Sequence, residues 1–185
     1  MLNKDQLRKK YYKIRKKNYF EIKKKHFDPL LLLLKKFSKQ KTIKLSCYYA
    51  SNFEFSTLSL MSVLKSNKKI LTLLPVVNKE CTMNFYKWNY LDPLKINQYG
   101  IPEPYKNKKT YIPNIFLVPL LAFDISKNRL GYGKGYYDKF LNKYLKINRD
   151  ILTIGVAFSF QKYNKLPISK NDVRLNYILT EKGFE

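Results

Sequence analysis

Three glycines fall within five residues in Arg129-Leu130-Gly131-Tyr132-Gly133-Lys134-Gly135-Tyr136-Tyr137, in a chain with six glycines in all. Glycine permits positive φ and close backbone approach, so successive N–H groups of such a loop can turn toward one anion. The loop follows an apolar run ending near Asp124 and leads into a helical pattern from Lys134 to Leu145. A helix N-terminus in that position favours phosphate. Lys134 and Arg129 add positive charge, and Asp138 in the first turn offers a carboxylate suited to Mg²⁺. The spacing is GxGxG, which is neither the P-loop pattern nor the GxGxxG dinucleotide fingerprint. The same glycines also suit a tight turn in which they merely avoid clashes.

Other chemistries lack their residues. His26 is the one histidine, set in Lys23-Lys24-Lys25-His26 and read as a solvated helix residue. No Ser-His-Asp triad or multi-histidine metal site can be built without it. Cys47 and Cys81 are isolated, which argues against a disulfide framework or a Cys-rich zinc site. Two lone thiols fit a reducing compartment, so the expected location is cytoplasmic. The longest apolar run, Leu30 to Leu34, is far short of the roughly 20 residues a membrane-spanning helix needs. No secretory signal is expected, because the chain is charged from Lys4 onward.

The 185 residues include 37 Lys or Arg against 13 Asp or Glu, a net charge of +24. That balance raises a nucleic-acid-binding alternative. Two features blunt it. The excess is spread from Lys4 to Lys182, and the arginines are only Arg8, Arg15, Arg129, Arg149 and Arg174. Nucleic-acid readers exploit the flat, bidentate guanidinium, and no RNP-type aromatic motif is present. Abundant Lys, Asn, Ile and Tyr also fit an A/T-rich coding sequence.

The elements that must position these residues alternate. Residues 3–26 read as a basic helix with an Asn3/Gln6 capping box and an apolar stripe of Leu7, Tyr11 and Ile14. A second helix is expected over Leu30 to Phe37, with Pro29 at its start. Strands are expected at Ile43–Ala50, Ile70–Val77, Ile115–Phe123, Ile151–Phe158 and Leu175–Thr180, with a short aromatic strand or loop at Met83–Trp88. Helices are expected at Glu54–Lys65 and Lys134–Leu145, and four prolines mark residues 92–113 as an extended loop. The pattern predicts an α/β fold: a three-layer sandwich whose mostly parallel central sheet is covered by helices, in a single domain over 1–185.

Val118-Pro119 through Ala122-Phe123-Asp124, then Asn128 to Asp138, resembles the signature of the 5-formyltetrahydrofolate cyclo-ligases, also called methenyltetrahydrofolate synthetases. The resemblance extends over nearly the whole chain. Lys4-Asp5-Gln6-Leu7-Arg8 resembles the family's ATP-binding helix, and Tyr49 to Thr57, with Glu54 inside, its substrate segment. Gly100-Ile101-Pro102-Glu103-Pro104 resembles a further element, and Gln161, Pro167, Asn171-Asp172 and Thr180-Glu181 its C-terminal landmarks. Leu120 stands where the family usually has glycine, and Asn114 where an acidic residue is common. The match of Lys4 to Arg8 also argues against reading the basic N-terminus as a mitochondrial presequence.

The resemblance implies ATP-dependent conversion of 5-formyltetrahydrofolate to 5,10-methenyltetrahydrofolate with release of ADP and phosphate. It implies ATP binding by Lys4, Asp5, Gln6, Leu7 and Arg8 and by Arg129, Leu130, Gly131, Tyr132, Gly133, Lys134, Gly135, Tyr136 and Tyr137. Lys134, Arg129 and Tyr136 would serve the chemistry, and Asp138 and Asp172 would hold Mg²⁺. Glu54 would accept hydrogen bonds from the pterin, with Tyr49, Met83, Phe85 and Trp88 as apolar or stacking surface. A monomer with no nucleic-acid or membrane partner is implied, and the alternatives are a nucleic-acid binder or an inactive folate- or nucleotide-binding relative.

Overall fold

The computed structural model describes residues 2–39, 42–106 and 109–185. In chain order the helices are α1 (Lys4–Asn18), α2 (Asp28–Ser38), α3 (Leu58–Leu64) and α4 (Tyr136–Ile147). The strands are β1 (Ile43–Ser46), β2 (Ile70–Val77), β3 (Met83–Lys87), β4 (Leu94–Ile96), β5 (Pro102–Pro104), β6 (Ile115–Pro119), β7 (Ala122–Phe123), β8 (Arg129–Leu130), β9 (Leu152–Val156), β10 (Tyr177–Thr180) and β11 (Gly183–Phe184).

A seven-stranded sheet runs in the order β11-β10-β9-β6-β1-β2-β3. The pairs β10–β9, β9–β6, β6–β1 and β1–β2 are parallel, and the outer pairs β10–β11 and β2–β3 are antiparallel. Alternation along the strands sends successive residues to opposite faces. Leu45, Ile115, Leu117 and Ile154 therefore join Leu30 and Leu34 of α2 and Leu60, Met61 and Leu64 of α3 in one core. Phe116, Val118, Phe85 and Ile178 join Phe140 and Leu141 of α4 in another. Helices thus cover both faces of a mostly parallel sheet, the expected three layers. A third cluster packs Leu7 and Tyr11 of α1 against Leu121, Ala122 and Leu130 of the β7–β8 ribbon.

From β1 the chain steps to β2 on one side, whereas from β6 it steps to β9 and β10 on the other. The β1–β6 boundary is therefore a topological switch point, where open α/β sheets place ligands beyond the carboxyl ends of their strands.

Several elements differ from the sequence expectation. The 3–26 helix ends at Asn18, and α3 starts at Leu58 rather than Glu54 because Asn52 and Phe53 take positive φ and turn the chain first. The expected strand 43–50 stops at Ser46, and the apolar run 115–123 divides into β6 and β7. The expected strand 151–158 is confined to Leu152–Val156, and Leu175–Thr180 to Tyr177–Thr180. The expected loop 92–113 contains the antiparallel pair β4–β5, and residues 107 and 108 of that range lie outside the described residues. His26 lies in a single 3-10 turn (Lys24–Phe27), half-buried, with Nδ1 accepting from the Lys23 N–H.

Candidate active site

The glycine loop takes its shape from the turn that feeds it. Buried Asp124 accepts the Ser126 and Asn128 N–H groups at 3.0 Å each, closing the tight turn between β7 and β8. Gly133 and Gly135 then adopt φ of +94° and +72°, backbone that other residues take only with strain. Gly135 is the residue that caps α4. A Cβ at Gly133 would come within 3.2 Å of the Arg8 guanidinium carbon, so close packing as well as φ demands glycine there.

Helix α1 is pinned against this loop. Its Asn3/Gln6 capping box forms as the sequence predicts. Lys4 and Arg8, one turn apart, point the same way and line the cleft. Arg8 Nε donates to the Gly131 carbonyl at 3.0 Å, while its NH1 reaches Asp5 Oδ1 at 2.5 Å. The remaining residues of the predicted ATP segment face elsewhere. Gln6 is engaged in the cap, Leu7 is fully buried in the α1 core, and Asp5 projects into solvent.

These parts surround one cleft of about 1220 Å³. Its floor lies beyond the carboxyl ends of β1, β2 and β6, with Tyr48 and Tyr49, Val77, and Pro119 along it. Arg129 to Tyr137 form one wall, including Leu130, Gly131, Tyr132, Lys134 and Tyr136. Lys134 is exposed and carries no ion pair among the described residues. Arg129 is otherwise: its guanidinium is buried and pairs with Asp138 Oδ1 at 2.7 Å. Burial raises the pKa of the Tyr137 hydroxyl, which finds no hydrogen-bond partner among the described residues.

The two predicted metal ligands both line the cleft. Asp138 Oδ1 also accepts the Val173 N–H at 3.1 Å. Asp172 Oδ2 takes Lys4 Nζ at 2.5 Å and the Ser169 N–H at 2.7 Å. Each carboxylate engages one oxygen in these contacts, and its second oxygen is a donor of the type a hard cation takes. No group of three or more His, Cys, Asp or Glu side chains suited to a metal occurs among the described residues.

Glu54 sits on the floor and is buried. Its Oε1 accepts the Tyr132 hydroxyl at 2.6 Å, and its Oε2 accepts the Ser51 N–H at 2.8 Å. Burial raises its pKa, opposed by those hydrogen bonds and by the Arg15 charge. Glu54 is therefore an acceptor already oriented by the turn 51–54 and by the glycine loop.

Of the predicted apolar contacts, Tyr49 and Met83 line the cleft, but Phe85 and Trp88 do not. Phe85 is fully buried between Phe116 and Phe140 on the α4 face of the sheet. Trp88 is buried in the α2/α3 core and donates Nε1–H to the Asp92 carbonyl at 3.0 Å. Both are core residues: Phe85 shares its face of β3 with Met83 but lies two residues farther from the cleft, against α4, whereas Trp88 lies in the core on the other face of the sheet.

Residues absent from the sequence expectation complete the walls. Tyr99, between β4 and β5, shares a 3.0 Å hydrogen bond with the Tyr136 hydroxyl, and that contact above all raises the Tyr136 pKa to about 12. Buried Glu103 on β5 accepts the Val77 N–H at 3.2 Å and pairs with Lys95 Nζ at 3.5 Å. Arg15 lies wholly buried behind Glu54. The Tyr99 turn was hidden by the proline-rich appearance of 92–113. Arg15 was hidden by the lysines around it.

The family model of the 5-formyltetrahydrofolate cyclo-ligase family matches residues 2–181. A 5-formyltetrahydrofolate cyclo-ligase of Haemophilus influenzae is 33% identical over 153 residues, 79% of this chain and 80% of that protein. A namesake from Mycoplasma pneumoniae is 33% identical over 129 residues, 62% of this chain and 74% of its own length. Among solved structures, a 5,10-methenyltetrahydrofolate synthetase of Mycoplasma pneumoniae superposes with a TM-score of 0.71 at 26% identity, covering 97% of this chain and 99% of the other. That of Aquifex aeolicus superposes with a TM-score of 0.73 at 28% identity, covering 98% and 91%.

Proposed function

The chain belongs to the 5-formyltetrahydrofolate cyclo-ligase family, and from that membership we infer that it is a ligase closing 5-formyltetrahydrofolate to 5,10-methenyltetrahydrofolate with ATP as co-substrate. The comparisons support this enzyme and not a nucleic-acid-binding protein. One observation carries the reading into the site. A single cleft joins a glycine-rich anion cradle with its cations to a buried, oriented carboxylate and apolar walls.

The formyl oxygen is amide-like and a poor nucleophile, so catalysis rests on alignment and on offsetting charge at the transferring phosphoryl group. Attack of that oxygen on the γ-phosphorus breaks the bond to ADP and leaves a phosphorylated iminium-like carbon. N10 then attacks the carbon, loses its proton, and phosphate departs as the ring closes.

The roles follow from position. Lys4 and Arg8 on α1 and the N–H groups of Gly131 to Gly135 receive the triphosphate. Lys134, exposed on the loop and without an ion pair among the described residues, meets charge developing on the γ-phosphoryl oxygens. Arg129, held by Asp138, braces the loop from beneath, and the Tyr136 hydroxyl, protonated at neutral pH, can donate toward the transferring group. Glu54 accepts adjacent N–H donors of the pterin, while Tyr49 and Met83 flank its ring. Asp138 and Asp172 would hold Mg²⁺, which would supply charge neutralisation on the phosphates. No described helix is long and apolar enough to cross a membrane.

The test is direct. Folded protein given 5-formyltetrahydrofolate, Mg²⁺ and ATP develops the near-ultraviolet absorbance of the methenyl product, and no change does so without ATP. Absence of any ATP-dependent change overturns the reading.

A further inference from the structure

Arg15 is a fully buried guanidinium on a helix otherwise crowded with solvent-facing lysines. Burying a cation is costly unless its surroundings compensate. The compensation here comes from three elements of the site. NH2 donates to the Asn52 carbonyl at 2.7 Å, in the turn that carries Glu54. NH1 donates at 3.3 Å to the Leu120 carbonyl just beyond the end of β6, an oxygen that also accepts from Gln161 Nε2 at 3.0 Å. The guanidinium carbon lies 5.4 Å from the centre of the Tyr132 ring, whose hydroxyl is the donor to Glu54 Oε1. Nε has no hydrogen-bond partner among the described residues, which adds to the cost of burying the group.

We propose that Arg15 is a positioning residue for the folate half of the reaction, locking the Asn52–Glu54 turn and the Tyr132 ring so that the Glu54 carboxylate stands ionised and fixed to receive the pterin. The proposal rests on the folate role of Glu54 given above.

The electrostatics agree with the geometry. The titratable groups facing Glu54 are Arg15 from α1, Tyr132 from the glycine loop, Tyr137 from α4 and Tyr48 from the segment after β1. Burial, first among the causes, raises all three tyrosine hydroxyls, so they remain neutral through the working pH range. Arg15 is then the one permanent cation among them, and it acts against the burial that favours a protonated Glu54. Lysine at position 15 keeps that charge but cannot fork between two carbonyls and stack on a ring.

Steady-state kinetics of the 185-residue chain, with folate and ATP varied separately across pH, test this. Arg15→Met, checked for folding by its melting curve, should raise the folate KM by about tenfold or more while leaving the ATP KM within about twofold. The acid limb of kcat/KM for folate should move to higher pH by about one unit. Arg15→Lys should restore the acid limb to its wild-type position while retaining part of the KM defect. Adding Arg15→Lys to Glu54→Gln should cost little beyond Glu54→Gln alone, because the two act through one group.

If Arg15→Met does not fold, Arg15→Lys and the double variant carry the decision. Equal losses toward folate and ATP, or an acid limb unmoved in folded Arg15→Met, would overturn the proposal. So would additive losses in the double variant. Wild-type turnover with these outcomes sinks the Arg15 role alone, whereas absence of wild-type turnover sinks the functional reading with it.

Discussion

Arg8 Nε donates to the carbonyl of Gly131 at 3.0 Å, across 123 residues of chain. With Arg15 against the Tyr132 ring and Leu7 packed with Leu130, that bond ties the first helix to the glycine loop, and the absence of a Cβ at Gly133 lets the Arg8 guanidinium lie against the backbone. The two segments proposed to receive the triphosphate therefore line one cleft, Lys4 and Arg8 from α1 and Lys134 from the glycine loop.

Gly133→Ala tests that surface. The substitution strains a φ of +94° and places a methyl group 3.2 Å from Arg8 Cζ. The backbone strain is about 1 kcal/mol or more, and Arg8 must also move. The ATP KM should rise by about tenfold, with the folate KM much less affected. An unchanged ATP KM in a folded variant would separate Arg8 from the phosphate site.

Lys134→Ala removes a side chain that is exposed and, among the described residues, unpaired, so the melting temperature should hold within the small range of ordinary surface changes. Its loss is felt when charge builds on the transferring phosphoryl group, so kcat should fall by about 100-fold. A near-normal kcat would move the electrostatic role to Lys4 and Arg8.

Chelation should stop turnover and added Mg²⁺ restore it. Asp172→Asn removes one proposed ligand and releases Lys4 from its 2.5 Å pair. Asp138→Asn removes the other and leaves the buried Arg129 guanidinium without its counter-ion. Both should raise the Mg²⁺ concentration for half-maximal rate by at least about tenfold, and Asp138→Asn should also lower the melting temperature. An unaltered Mg²⁺ requirement in both would leave these aspartates as structural partners of Lys4 and Arg129.

The layers of the fold were legible because they follow from periodicity. Ile70 to Val77 is apolar on both faces and becomes β2 over those same residues. The glycine cluster was equally plain, since few glycines elsewhere compete with it. Element ends were not, because they depend on residues distant in sequence. Glu54 reads as a helix N-terminus, yet its carboxylate bonds the Tyr132 hydroxyl from 78 residues away and is held out of α3. Prolines 102 and 104 read as a loop, yet β5 forms with Glu103 between them bonded to Val77 and opposite Lys95. Phe85 and Trp88 have the right chemistry for a pterin, but Phe85 lies deeper along the face that Met83 shares, under α4, and Trp88 packs in the core on the opposite face, positions set by packing distant in sequence.

The net charge of +24 has a testable consequence, although few of the cations line the cleft. A strongly positive surface accelerates encounter with anionic ligands, and salt screens that attraction over about 10 Å at 0.1 M. The folate association rate, followed by quenching of tyrosine or Trp88 fluorescence, should fall as salt rises while the dissociation rate changes little. An association rate independent of salt would leave the excess charge without a part in ligand capture.

Glu54→Gln should separate stability from binding, with a sign fixed by the raised pKa of Glu54. Burial is the largest influence on that carboxyl and raises its pKa, against the opposing pull of Tyr132, Ser51 and Arg15. A carboxyl whose folded pKa exceeds its unfolded value holds more protons folded than unfolded between the two. Its contribution to stability is therefore lost as pH rises through that window and stays lowest above it. Glutamine does not titrate and still offers an oxygen to the Tyr132 hydroxyl or the Ser51 N–H. The melting temperature of the variant relative to wild type should thus improve as pH is raised from about 4 to about 8. Folate binding should move the other way: wild type weakens as pH falls through the raised pKa, and the variant is weak throughout. A wild type that gains stability over the variant with rising pH would mean that the hydrogen bonds of Glu54 outweigh its burial.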